Sequence, residues 1–146
     1  RLLGVREVPL DMLGIKKFIR KRSPFNHPSV MFRKKAVLAV GGYSNLTVCE
    51  DYDLWIRMTA KGLKMKNLPD ILVNSRIDDT SYRRRGGWKY YKSNKMLQDN
   101  LLDLKMILVW HYSVNIVIRF TVQVLMPNTL RGLFYNNILR SSKSSQ

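Results

Sequence analysis

The 146-residue sequence contains one cysteine, Cys49, which excludes an intrachain disulfide and a zinc site built from several thiolates. A reducing compartment is therefore the simpler assumption. The first ten residues lack the apolar core of a signal peptide, and Arg1 rather than Met comes first, so we expect a fragment of a longer protein. The sequence has no internal repeat and no Gly-rich phosphate loop.

Acidic residues are scarce, with ten Asp and Glu against 26 Lys and Arg, a formal net charge of +16. This excess predicts attraction to polyanions such as nucleic acid, anionic lipid headgroups or phosphorylated substrates, and charge alone does not choose among them. Hydrophobic residues make up 45% of the sequence and charged residues 25%, which is ordinary globular usage. The chain should fold around one core.

Three of the ten acidic residues, Glu50, Asp51 and Asp53, stand together before an amphipathic run that ends at Gly62. The pattern predicts a helix that starts at or just after Glu50 and Asp51. A carboxylate in the first turn is favoured in its ionised form by the helix dipole and free N–H groups. It would serve as a helix cap or as a base that accepts a proton from a hydroxyl, and both roles stay open.

The remaining pattern alternates short helices and strands. Asp11 near the start and basic residues near the end predict a helix within residues 11–22, and residues 34–40 predict one or two helical turns before Gly41 and Gly42. A further helix is expected from Trp88 to about Asp103. Short strands are expected at residues 29–33, 63–68 and 71–73.

His27 and an arginine run are candidate contacts for a substrate. His27 lies between turn residues, so it is either a turn histidine bonded to backbone or a ligand or substrate contact. Arg83, Arg84 and Arg85 belong to a polar, glycine-bearing loop over residues 77–87. They would stabilise a diphosphate leaving group, or else form a solvated loop or contact lipid headgroups.

Residues 104–126 are strongly apolar, yet His111, Asn115, Arg119 and Gln123 recur at every fourth position. This polar line predicts a helix that lies at a membrane interface or packs on the domain, rather than one that spans a bilayer, and Pro127 should end it. Residues 130–139 form a basic amphipathic segment suited to anionic lipid, and residues 141–146 a disordered tail.

Several motifs, in order and spacing, resemble the C-terminal half of family 2 glycosyltransferases, with the greatest likeness to bacterial enzymes of amylovoran, capsule and lipopolysaccharide synthesis. They are Asn26-His27-Pro28-Ser29-Val30-Met31-Phe32-Arg33-Lys34, Gly41-Gly42-Tyr43, Glu50-Asp51-Tyr52-Asp53-Leu54-Trp55, Asn67-Leu68-Pro69 and Arg84-Arg85-Gly86-Gly87. The resemblance runs from about Arg6 to Arg140.

The resemblance implies an α/β fold of GT-A (Rossmann-like) type, with residues 1–87 as its acceptor and base part. Residues 88–140 would then be a helical, membrane-associated extension with amphipathic helices, and 141–146 the tail. In the family, the Asp of the Glu-Asp pair is the base, which falls on Asp51. Glu50 would orient the acceptor, Asp53 and Trp55 would serve in helix capping and packing, and Arg84 and Arg85 would lie near the diphosphate.

The implied reaction is transfer of a sugar, with inversion, from a nucleotide sugar to a lipid-linked saccharide at the cytoplasmic face of the bacterial inner membrane. The nucleotide-binding half and its Asp-x-Asp motif, which holds Mg²⁺ or Mn²⁺, are missing here, so no metal is expected on this chain's own residues and the chain should be inactive alone. The alternative is a non-enzymatic basic module that binds nucleic acid or anionic membrane. No nucleic-acid motif supports that binding, and for the transferase no nucleic acid partner is expected.

Overall fold

The computed structural model describes residues 5–46, 48–74, 85–127 and 130–131. Five α-helices are found in these ranges, with a 3₁₀-helix at His27–Ser29 and a π-helix at Thr121–Leu125. The α-helices are α1 Met12–Phe18, α2 Lys34–Leu38, α3 Glu50–Ala60, α4 Trp88–Asp103 and α5 Val109–Phe120.

The predicted helix starts are confirmed for α1, α3 and α4. Asp11 caps α1 by accepting a hydrogen bond from the Gly14 N–H at 2.7 Å, so one of the free donors at the helix end is satisfied. Helix α3 begins at Glu50, as the acidic cluster predicted. It ends at Ala60, and Gly62 follows with φ +77°.

Helix α3 is the centre of the hydrophobic core. Its Leu54, Trp55 and Ile56 are almost completely buried, and the Trp55 ring meets Phe25 edge-on with 5.3 Å between ring centroids. Around them pack apolar side chains from both the N-terminal and the C-terminal part of the chain: Ile15, Ile19, Leu97, Leu101 and Ile107. The predicted boundary between an acceptor and base part (residues 1–87) and a helical extension (residues 88–140) stays a prediction.

The three predicted strands are wrong. In the part of the chain that the structure describes, residues 29–33, 63–68 and 71–73 belong to no strand, and Val5 forms an isolated bridge. Alternation at 63–68 arises because Leu63 and Met65 pack against the core from an extended segment without a neighbouring strand. That segment is held by Asn67, whose side-chain amide donates to the carbonyls of Pro9 and Pro24.

The described residues are therefore mainly helical, and the sheet of the expected α/β sandwich does not appear among them. Local sequence suggested strands because residues 29–33 and 71–73 are rich in apolar side chains. Instead, Met31 and residues 71–73 leave those side chains largely exposed.

The apolar run at residues 104–126 is not one helix. The chain turns at residues 104–108, where Lys105 has φ +55° and Ile107 enters the core, and α5 starts only at Val109. The π-helix extends α5 and is followed by Met126, so the predicted stop before Pro127 is confirmed. Within the described ranges, no helix has both the length and the apolarity needed to cross a bilayer.

The polar line of α5 faces the protein. Asn115 donates to Gln98 Oε1 of α4 at 2.9 Å and to the Arg20 carbonyl at 3.1 Å. Arg119 donates to Asn94 Oδ1 at 2.7 Å and to the Lys21 carbonyl at 2.6 Å. Helix α5 therefore packs on the domain, which was one of the two predicted alternatives, and it does so through its polar face. Residues 132–140, the tail 141–146, Arg83 and Arg84 lie outside the described residues.

Candidate active site

The candidate base lies in the first turn of α3. Cys49 precedes the helix in a left-handed conformation, with φ +64°, and makes no side-chain cap. Its carbonyl accepts the N–H of Asp53 at 3.1 Å, which closes the first turn. Glu50 and Asp51 therefore occupy the start of a helix whose following residues are anchored in the core, so their backbone positions are fixed.

Burial dominates the electrostatics of Asp51. Desolvation raises the pKa of its carboxyl, while the Tyr52 N–H and the charge of His27 act in the opposite direction, and Glu50 adds to the rise. The predicted preference of a helix start for the ionised form is present in the N–H contribution, but burial outweighs it. The side chain keeps 23% of its surface exposed, so a hydroxyl can reach it.

His27 lies beside the candidate base. Its Nδ1 is 3.9 Å from Asp51 Oδ2, and its Nε2 is 3.3 Å from the hydroxyl of Tyr43. The ring stacks on Tyr43, with ring centroids 5.8 Å apart and nearly parallel planes. From the sequence, His27 could be either a turn residue or a substrate contact. The structure shows in addition that it lies beside Asp51. Its role in substrate binding stays a prediction.

A turn and one arginine hold Tyr43 in place. Gly41 and Gly42 have φ of +85° and +71°, a conformation that glycine adopts without strain. Arg57 of α3 donates to the carbonyls of Val40 and Gly42 across this turn. The Gly-Gly-Tyr motif is thereby fastened to the same helix that carries the candidate base.

Asp53 has a different role from the capping that was expected. Its two carboxylate oxygens accept hydrogen bonds from Arg57 Nε and Asn100 Nδ2, both at 2.9 Å. It joins α3 to α4 and is buried, so the Asp51-x-Asp53 spacing does not present two free carboxylates. Packing by Trp55 is confirmed.

One arginine that sequence reasoning missed, Arg6, lies close enough to the candidate base for their charges to interact. Arg6 donates to Asn26 Oδ1 at 2.6 Å and to the Ser23 carbonyl at 2.5 Å. Its pKa falls to about 10, mainly through burial and then through repulsion from Arg22 and Arg85, with the charge of Asp51 opposing the fall. No motif marks Arg6, because an isolated arginine has no local signature of its tertiary neighbours.

Of the predicted arginine run, the structure places one member. Arg85 is exposed and lies close enough to Arg6 for their charges to interact. The charges of Arg22, Arg85 and Asp51 all act on Arg6, which thus links the arginines to the candidate base. In residues 5–46, 48–74, 85–127 and 130–131, no three His, Cys, Asp or Glu side chains are grouped to hold a metal ion.

Chemically, the site combines a partly buried carboxylate with nearby guanidinium groups. Such a carboxylate can accept a proton from a hydroxyl held within hydrogen-bond reach. Guanidinium groups stabilise negative charge that develops on a phosphate leaving group. This pairing is typical of group transfer from an activated phosphate ester to a hydroxyl.

Comparison with known proteins agrees with this chemistry. A family model described as glycosyl transferase family group 2 matches residues 16–139. The chain belongs to this family of glycosyltransferases, which confirms the resemblance drawn from its motifs. No solved structure matches the chain.

Curated relatives carry related names. The chain is 36% identical to a UDP-Gal:alpha-D-GlcNAc-diphosphoundecaprenol beta-1,3-galactosyltransferase of Escherichia coli, over 93% of this chain and 49% of the relative. It is 35% identical to the amylovoran biosynthesis glycosyltransferase AmsE of Erwinia amylovora, over 90% of this chain and 49% of the relative. The chain therefore spans about half the length of these curated relatives.

Proposed function

We propose that this chain is the acceptor side of an inverting glycosyltransferase, in which Asp51 is the catalytic base. The observation that carries the proposal is the position of Asp51, a reachable carboxylate at a fixed helix start, beside His27 and close enough to Arg6 for their charges to interact. The complete enzyme would have a GT-A fold, with its nucleotide-binding half supplied outside these residues.

The proposed reaction is a single displacement. The acceptor hydroxyl attacks the anomeric carbon of a nucleotide sugar while Asp51 takes the hydroxyl proton, and the nucleoside diphosphate leaves with the bonding electron pair. The new bond forms on the face opposite the leaving group, so the anomeric configuration inverts. Glu50 would orient the acceptor from the same helical turn.

Positive charge balances the leaving group. Arg85, with Arg83 and Arg84 of the same run, would bind the diphosphate, and the field of Arg6 and Arg22 would add to the stabilisation. His27, with 44% of its side chain exposed, would contact the substrate and hold the base. A divalent metal, Mg²⁺ or Mn²⁺, would neutralise the diphosphate from the nucleotide-binding half.

The acceptor is proposed to be a lipid-linked saccharide in the synthesis of a surface polysaccharide. Support comes from the Escherichia coli relative, whose name specifies a diphosphoundecaprenol-linked acceptor, and from the amylovoran relative. The enzyme would then work as a peripheral protein at the cytoplasmic face of the inner membrane, against anionic lipid.

The test is Asp51→Asn in an enzyme completed with an upstream nucleotide-binding half. The amide is nearly isosteric and cannot take a proton, so we expect turnover to fall by about 10²–10⁴, with the fold unchanged by circular dichroism. Asp70→Asn, which makes the same chemical change at an exposed position, is the matched control. Unchanged turnover in Asp51→Asn would rule out the base assignment.

The alternative of a non-enzymatic basic module rests on net charge. It predicts a strongly salt-dependent affinity for DNA or RNA that Asp51→Asn leaves unchanged, together with no sugar transfer by the completed enzyme. Family membership favours the transferase.

A further inference from the structure

Helix α5 has an outward face without charge. Its exposed residues are all uncharged and mostly apolar: Val109, Trp110, Ser113, Val114, Val117 and Ile118. Trp110 and Val117 keep 62% and 63% of their surfaces exposed. The same side continues along the π-helix through Thr121 and Leu125. An apolar strip of this length on a helix is unfavourable in water unless something covers it.

The orientation is the reverse of that in an ordinary surface helix. The polar side chains Asn115 and Arg119 donate hydrogen bonds to α4 and to the carbonyls of Arg20 and Lys21. Those bonds fix the rotation of α5 about its axis. The apolar side is therefore presented outward by a specific polar interface, rather than by loose packing.

Basic side chains border α5 on the side of α1. A cavity of about 230 Å³ lies between the end of α1 and α5 and is lined by Lys17, Arg20, Lys21, His111 and Asn115. A second cavity, of about 300 Å³, is lined by Lys16, Arg20, Thr59, Ala60, Leu104 and Met106. Every charged residue among the described lining of both cavities is basic.

We propose that the outward face of α5 and these two basic cavities form a docking surface for an anionic lipid bilayer. Helix α5 lies along the bilayer surface, with its apolar side chains among the acyl chains. The phosphate groups of anionic phospholipids enter the cavity between α1 and α5 and contact Lys17, Arg20 and Lys21. The proposal rests on the proposed function only in that a lipid-linked acceptor is met at a bilayer.

The chemistry of the surface selects this occupant. A bilayer presents an anionic layer directly beside an apolar one, and this protein presents basic side chains directly beside an apolar strip. The twelve residues of α5 span about 18 Å, less than the hydrocarbon thickness, so the helix lies along the surface. Trp110 has the amphipathic ring that concentrates at the boundary between lipid and water.

The experiment is co-sedimentation of the 146-residue chain with vesicles of phosphatidylcholine alone or mixed with phosphatidylglycerol. We expect binding to the mixed vesicles and little to the neutral ones. Lys17→Glu with Lys21→Glu should weaken that binding at least roughly tenfold, since each basic side chain near an anionic surface contributes about 1 kcal/mol. Lys34→Glu with Lys35→Glu, an equal charge change on exposed residues of α2, should weaken it much less.

The apolar half of the surface has its own pair of variants. Val117→Asp should reduce vesicle binding strongly, whereas Leu38→Asp, at a similarly exposed position of α2, should not. The fluorescence of the chain should shift to the blue with anionic vesicles, and the shift should be lost in Trp110→Phe. Circular dichroism checks that each variant is folded.

Three outcomes overturn the proposal. Equal loss in the α1 and α2 charge pairs would mean that net charge alone drives binding, and equal binding by Val117→Asp and the unchanged chain would remove α5 from the contact. An oligomer that Val117→Asp dissociates, without any effect on vesicles, would assign the face to a second copy. Asp51→Asn should leave vesicle binding unchanged, so failure of the transferase proposal is measured separately.

Discussion

Asp51 is held where two physical effects oppose each other. The N–H groups at the start of α3 stabilise the charged carboxylate, and burial destabilises it, with burial the larger effect. A carboxylate whose pKa is raised by its surroundings is a better proton acceptor once ionised. The same burial lowers the stability of the folded chain at neutral pH, because a group suited to catalysis is kept partly out of water.

This opposition predicts a stabilising substitution. Since the pKa of Asp51 is higher in the folded chain, the unfolded chain releases this proton first as the pH rises above about 3.9. Folding stability from this group is therefore lost as the pH rises towards the folded pKa. Asp51→Asn should have a higher Tm than the unchanged chain at pH 7, and the difference should vanish below about pH 4.

Thermal unfolding followed by circular dichroism at the two pH values measures this difference. Asp70→Asn, an exposed position, should show no gain at either pH. A lower Tm for Asp51→Asn at pH 7 would contradict the prediction.

His27 should set the pH at which the base becomes active. Its charge lowers the pKa of Asp51, so His27→Gln should move the acidic limb of the kcat/KM profile of the completed enzyme to higher pH. Tyr43→Phe, which removes the hydroxyl near His27 Nε2 and keeps the ring, should move the limb less. A lower kcat with the limb unmoved would assign His27 to substrate contact alone.

At the scale of elements, the pair Gly86-Gly87 is a packing site. A Cβ on Gly86 would overlap the guanidinium of Arg131. That guanidinium donates to the carbonyls of Val122, Gln123 and Met126 at the end of the π-helix. Gly86 therefore allows the segment before α4 and the π-helix to approach each other, and the Gly87 N–H donates a hydrogen bond to the Gln123 carbonyl.

Gly86→Ala should destabilise the chain by about 1–3 kcal/mol, because overpacking forces a hydrogen-bonded side chain to move. Urea unfolding measures the loss. Adding Arg131→Ala to the Gly86→Ala chain should cost less than Arg131→Ala alone, since the overlap has been removed. If the losses in free energy of unfolding of the two single variants simply add in the double variant, the two residues are not in contact.

The elements that the sequence predicted carry their signals locally. Asp11 and the acidic cluster at Glu50 mark helix starts by side chains that act on their own backbone. Which face of α5 points outward was left open by the sequence, because the polar line of Asn115 and Arg119 fits water as well as it fits the partners Gln98 and Asn94. The strand prediction at residues 63–68 was wrong because alternation of apolar and polar residues indicates burial on one side and does not require a neighbouring strand.

The candidate site likewise contains residues that the sequence identifies locally and residues that it does not. Asp51 and Glu50 were found through a motif, whereas Arg6 and the contact between His27 and Asp51 depend on segments distant in sequence. Tyr43 stood in a motif without an assigned role, and its place beside His27 depends on the turn that Arg57 holds.

At the scale of the whole molecule, the chain contains the proposed base Asp51 and the nearby Arg6, and its described residues group no metal ligands. We expect the purified 146-residue chain, given a nucleotide sugar with Mg²⁺ or Mn²⁺, to neither hydrolyse nor transfer the sugar. The same chain joined to a nucleotide-binding half should transfer it. Assays of released nucleoside diphosphate distinguish the two, and release by the chain alone would contradict the prediction.

Helix α3 also sets a fixed distance between the candidate base and the proposed docking surface. Asp51 stands in its first turn, and Thr59, in its last, lines the second of the two basic cavities that belong to the proposed docking surface. The eight residue steps between them set a separation of about 12 Å along a rigid axis. Under the proposed function and the proposed docking together, the enzyme would favour acceptors whose reactive hydroxyl stands about that far, along α3, from the second basic cavity.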